Sequence, residues 1–164
     1  MFFKEGDIVL FGGSSGLMGK LVRYFDNAEY THIGICISIS QEIFILDMWS
    51  KGIEIVPIEK RLDVYPKQLI IRPKDVHIIP FAIKSMLWYW QGNRHIGYDY
   101  FLLLRIAIAK KLGLDFLFIG KEHRFICSEL VQKYANYFCT DWEDISLITP
   151  QDFVRKQSSK FLYL

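Results

Sequence analysis

A cysteine that opens a helix is the residue in this chain best placed to do chemistry. In Phe125-Ile126-Cys127-Ser128-Glu129-Leu130-Val131 a short apolar lead runs into Cys127. Apolar residues then fall at Leu130, Val131, Tyr134, Ala135, Tyr137 and Phe138, the spacing of one buried helical face. A helix start presents unpaired N–H groups and the positive end of the helix dipole, which favour negative charge. A free thiol titrates at roughly pH 8.5, and a helix N-terminus or a neighbouring imidazolium lowers that value. The chemistry on offer is nucleophilic attack by a thiolate. The competing reading of Cys127 is a small apolar side chain packed in the core.

A thiol nucleophile needs a base, and the base needs a third group to fix its tautomer. His32 is the candidate base, because it opens a strand beside a glycine, Gly34, where a ligand can approach the backbone closely. His77, His95 and His123 lie in polar or loop contexts and read as solvated. Asp47 stands between Leu46 and Met48 in the following strand. An acid in so apolar a run calls for a partner, since burying an unpaired carboxylate is costly. A tight turn at Gln41-Glu42 brings Asp47 and His32 to the same end of the two strands, with Asp47 as the orienting residue. The alternative for Asp47 is an acid at a strand end facing solvent.

The elements that must position these three residues follow from periodicity. Ile8 to Phe11 is a short apolar strand between Gly6-Asp7 and Gly12-Gly13. Leu17 to Phe25 predicts a helix with Leu17, Leu21, Tyr24 and Phe25 on one side. The glycine-rich turn before it lacks the glycine and hydroxyl positions of a phosphate loop, with Ser14 and Leu21 in their places, so nucleotide binding is not expected there. From Ile33 to Ile39 the chain alternates strictly, placing His32, Gly34 and Cys36 on one face of the strand. Ile43 to Met48, Ile53 to Pro57 and Leu69 to Pro73 continue a meander. Val76 to Gln91 is helical, starting at Pro80 if the proline sets its boundary. The run from Phe101 to Leu112 predicts a buried helix ended by Gly113.

Composition narrows the function classes. The 164 residues are 51% hydrophobic and 16% aromatic, which suits one globular domain spanning residues 1–164. The formal net charge is +2 with both signs interspersed, so no basic block tracks nucleic acid. Three cysteines, Cys36, Cys127 and Cys139, show no CxxC spacing, which argues against a disulfide scaffold and a structural zinc site. The N-terminal residues lack a signal-peptide profile, and charges interrupt the longest apolar region, so neither export nor a membrane span is expected. A reducing, cytoplasmic setting follows as the expectation.

Several ordered segments carry a resemblance. Gly6-Asp7-Ile8-Val9-Leu10, Tyr30-Thr31-His32-Ile33-Gly34-Ile35, the acid Asp47, Lys51-Gly52-Ile53, Gly97-Tyr98-Asp99-Tyr100, Cys127-Ser128-Glu129-Leu130-Val131 and Thr149-Pro150-Gln151-Asp152 span nearly the whole chain. In this order they resemble the YiiX/YaeF-like family of circularly permuted papain-like hydrolases in the NlpC-type superfamily. The resemblance implies an α+β fold, a small antiparallel sheet or barrel packed against helices, with Cys127 as nucleophile at a helix N-terminus and His32 as base. The family usually carries Glu where this chain has Asp47. The activity implied is cysteine-dependent hydrolysis or acyl transfer on a peptide-like amide or an ester through an acyl-enzyme, with no metal or organic cofactor. The same superfamily includes lipid acyltransferases, so an acylated lipid substrate with peripheral lipid contact is an alternative, the aromatic run Met86-Leu87-Trp88-Tyr89-Trp90 then lining an acyl-chain groove. A papain-like module that has lost activity and serves as a binding adaptor is the other. The oligomeric state is not legible from the sequence.

Overall fold

Isoleucine- and valine-rich runs separated by tight turns build a six-stranded antiparallel sheet, seen in a computed structural model that describes residues 2–14, 16–93, 96–99, 105, 108, 124–142 and 149–164. The strands are β1 (Ile8–Gly12), β2 (Tyr30–Ile39), β3 (Glu42–Trp49), β4 (Gly52–Pro57), β5 (Lys67–Pro73) and, last in the chain, Phe161–Tyr163. The helices α1 (Leu17–Asp26), α2 (Glu59–Leu62) and α3 (Ile79–Gly92) lie between them. A two-stranded parallel pair, β6 (Gly97–Tyr98) with β7 (Arg124–Phe125), precedes α4 (Cys127–Ala135). Helix α5 (Pro150–Arg155) leads to the final strand, β8. The helix expected over residues 101–112 lies outside the described residues, apart from Arg105 and Ile108, which are both helical.

The sheet order is β4-β3-β2-β1-β5-β8. The expected meander therefore holds only from β2 to β4. Strand β5 crosses back to pair with the free edge of β1, Val9 opposite Ile70, leaving β4 at the edge of the sheet. Strand β1 is buried along its whole length because both of its faces are covered. Ile8 and Leu10 join the main core with Ile33, Ile35, Ile37, Leu46, Met48 and the α4 residues Leu130, Val131 and Tyr134. Val9 and Phe11 join a smaller core with Cys36, Ile45, Ile58 and Tyr65.

Helix α4 packs on β2 and β3, and its Tyr134 hydroxyl donates to the Gly6 carbonyl at 2.9 Å, tying it to the turn that precedes β1. Pro80 falls in the first turn of α3, where its missing N–H costs nothing. Tyr24, expected on the buried side of α1, is 66% exposed, whereas Val22 is 3% exposed. No helix among the described residues is long and apolar enough to cross a membrane.

Candidate active site

The hairpin that carries the candidate base and acid turns one residue earlier than its sequence suggests. Ser40 and Gln41, both at positive φ (51° and 70°), form the two-residue turn, and Ile39 pairs with Glu42. Positive φ at both central residues matches the twist that a two-residue hairpin requires. The resulting register sets Asp47 opposite Gly34. His32 is two residues further along the same face, a diagonal neighbour within side-chain reach.

Gly34 is the space across which they meet. A Cβ at Gly34 would lie 2.7 Å from Ile45 Cγ1 and 2.9 Å from Asp47 Cβ. Both are rigid parts of a packed strand, so Gly34→Ala should destabilise the chain by about 1–3 kcal/mol in urea denaturation. A wild-type midpoint would mean that β3 yields at no cost.

Asp47 is fully buried and its carboxylate is filled with partners. The His32 Nε2–H donates to Asp47 Oδ2 at 2.7 Å. The Arg61 guanidinium donates from Nε to the same oxygen at 2.6 Å and from a terminal nitrogen to Oδ1 at 3.0 Å. Arg61, 5% exposed, also bonds Glu54, which pairs with Asp47 across β3 and β4. Burial opposes ionisation of Asp47, yet His32 and Arg61 outweigh it and hold the carboxyl below its ordinary range.

His32 stands in an aromatic box. Its ring stacks on Tyr65 at 5.6 Å and 11°, meets the edge of Trp49 at 5.1 Å and lies 5.8 Å from Phe11. The Arg61 guanidinium covers the Trp49 ring at 4.2 Å. With Nε2 committed to Asp47, Nδ1 is left for a second partner, and the Cys127 sulfur is near enough to favour the charged ring. Burial alone would discharge the ring. The Asp47 carboxylate and the Cys127 sulfur prevail, and His32 is raised from 6.5 to about 9.

Cys127 is the first residue of α4, so its N–H has no acceptor within the helix. The residue before it, Ile126, has no side-chain oxygen with which to cap. Instead the Glu129 carboxylate turns back to accept from the Ile126 N–H at 2.7 Å, fixing the entry into the helix. The Tyr98 hydroxyl approaches the Cys127 sulfur at 3.9 Å. From α5, Gln151 Oε1 accepts from the backbone N–H groups of Glu29 and Tyr30, at 2.8 and 3.2 Å, and so steadies the strand end that carries His32.

Of the three side chains expected from sequence, His32 and Asp47 are bonded to one another, and Cys127 lies close enough to act on the ring. His77 is exposed, and His95 and His123 lie outside the described residues. The aromatic run of α3 does not converge on one surface. Met86 is core, Trp88 is 72% exposed, and Trp90 donates its indole N–H to the Ile53 carbonyl. Sequence reasoning missed Arg61, Tyr65 and Trp49, and noted Tyr98 only within a segment, with no role of its own. The one signal for Arg61 was the demand of a buried Asp47 for a cation.

No family model matches the sequence, and no curated protein does. Among solved structures the chain is similar to the crystal structure of metalloprotein yiiX from Escherichia coli O157:H7, with a TM-score of 0.57 and 16% identity over 98% of this chain and 96% of that one. That likeness extends over the whole fold. Among the described residues of this chain, no three His, Cys, Asp or Glu side chains come together as metal ligands. Asp47 is already saturated by His32 and Arg61, so these residues do not fit a metal at this site.

Proposed function

We propose that this protein is a cysteine-dependent hydrolase or acyltransferase with a permuted papain-like arrangement, acting on a peptide-like amide or an ester. The observation that carries the reading is the His32 imidazole bonded to the buried Asp47 carboxylate and close to the Cys127 sulfur at the start of α4. In that arrangement the sulfur attacks the substrate carbonyl carbon and a C–S bond forms. The imidazolium gives its proton to the departing amine or alcohol as the C–N or C–O bond breaks. The Cys127 N–H, at the start of α4, is placed to stabilise the oxyanion. Water or a second acceptor then attacks the acyl-enzyme, yields its proton to His32 and restores the thiolate. Asp47 orients the ring and stabilises its charged form without moving a proton itself.

Alkylation by iodoacetamide, followed peptide by peptide by mass spectrometry, tests the pair. Cys139 is partly exposed and is replaced by serine to remove background, whereas Cys36 is buried and its thiol is pushed far up by that burial. Cys127 should react rapidly near neutral pH and about ten- to a thousandfold more slowly in His32→Ala, as thiolate character is lost. An unchanged rate, or no labelling of Cys127 in either protein, would sink the assignment and favour an inactive binding module.

A further inference from the structure

The cation that grips both oxygens of Asp47 sits where it can govern the proposed base. We propose that Arg61 is a positioning residue of this site, acting through Asp47 to aim His32 and to limit how tightly the carboxylate holds the imidazolium. The inference rests on the hydrolase reading above and adds a fourth member to its machinery.

Three features of the geometry support it. The guanidinium binds both oxygens of Asp47, so the carboxylate plane is fixed and Oδ2 is aimed at His32 Nε2. Two-point binding of this kind is what a planar guanidinium does and an ammonium does not. Arg61 is itself held, by Glu54 on one side and by the Trp49 ring on the other, and Trp49 in turn abuts the imidazole. A surface ion pair has no such restraint; this guanidinium is locked at the back of the base.

The electrostatic consequence follows from who faces whom. Among the described residues, His32 meets Asp47 from β3 and lies near the Cys127 sulfur from α4, while Arg61 from α2 stands behind the carboxylate and is itself bonded to Glu54 from β4. The Tyr65 phenol, from the segment after α2, is kept neutral by its burial, and the Tyr98 hydroxyl of β6 lies beside the sulfur. Strand β1 contributes only Phe11. Asp47 alone would hold an imidazolium very tightly, and such an imidazolium is a poor acid toward a leaving group. A cation on the far side of the carboxylate offsets part of that attraction.

The test is the His32 ring titration, followed by NMR in the full chain. Arg61→Met removes charge and geometry, Arg61→Gln keeps a hydrogen-bond donor and buries no charge, and Arg61→Lys keeps the charge. The titration should move up by about one pH unit in the Met and Gln variants and by less than half as far in Lys, which keeps the charge but loses the two-point grip. An unmoved titration in folded Met or Gln variants overturns the proposal, as does a Lys variant that moves as far as they do. If neither uncharged variant folds while Lys does, Arg61 serves the fold alone and the proposal also falls. The readout needs no turnover. A ring whose titration ignores Cys127→Ala would sink the hydrolase reading separately, leaving the effect of Arg61 measurable.

Discussion

Cys127→Ala is expected to reduce turnover of any ester or amide substrate to background while leaving the folded chain within about 1–2 kcal/mol of wild type. The side chain is small and lies at the first turn of α4, so its loss leaves little empty volume. The larger change is electrostatic. The sulfur is one of the groups that raise His32 to about 9, so the ring should titrate lower in the variant. The sign of the pH effect on stability follows. A histidine raised from 6.5 to about 9 on folding contributes stability that is complete below 6.5 and is lost as pH rises through 9. In Cys127→Ala the decline should still begin near 6.5 but end at lower pH, visible as urea midpoints measured between about pH 6 and 10. Wild-type activity in this variant would remove the nucleophile from the proposal.

Asp47 carries the second large effect, and it divides between kinetics and stability. Asp47→Asn should cut turnover by roughly ten- to ten-thousandfold with little change in KM, because in the proposed mechanism the carboxylate orients the imidazole without touching substrate. Asp47→Ala should in addition cost about 3–5 kcal/mol in urea denaturation, the range for removing one partner of a buried ion pair. The Arg61 guanidinium would then lie 5% exposed with Glu54 as its remaining anion. A fully active Asp47→Asn protein would transfer the orienting role elsewhere. A stable Asp47→Ala protein would mean that Glu54 alone satisfies the guanidinium.

What was legible in the sequence was whatever had a period. The face of α4 from Leu130 onward and the alternation from Ile33 to Ile39 are regular enough to place Cys127 and His32 before any coordinates. Asp47 was legible as an anomaly, a charge in an apolar strand. The exact pairing was not, because Ser40, Gln41 and Glu42 are all acceptable turn residues, and moving the turn by one residue slides the partner strand by two. Arg61 was hidden for a different reason. Helix α2 is a single turn, Glu59-Lys60-Arg61-Leu62, too short for a face to emerge, and its two basic residues look alike. Only the fold distinguishes them, turning Arg61 inward and leaving Lys60 exposed. The return of β5 to β1 was likewise out of reach, since strand order depends on contacts distant in the chain and not on the pattern within a strand.

The charge cluster and the thiol are joined to the fold in different ways. His32 and Asp47 come from one hairpin and Arg61 from the short helix α2 that follows the next strand, β4, so their contacts close only short loops of chain. Cys127 arrives from the other half of the sequence, carried by α4 as it docks on β2 and β3. Bringing it in closes a much longer loop, at an entropic cost that grows only slowly with length. The register between His32 and Cys127 is therefore set by the apolar underside of α4, where Leu130, Val131 and Tyr134 are buried against the sheet. Those side chains take no part in proton transfer, yet the distance from sulfur to imidazole is theirs to keep.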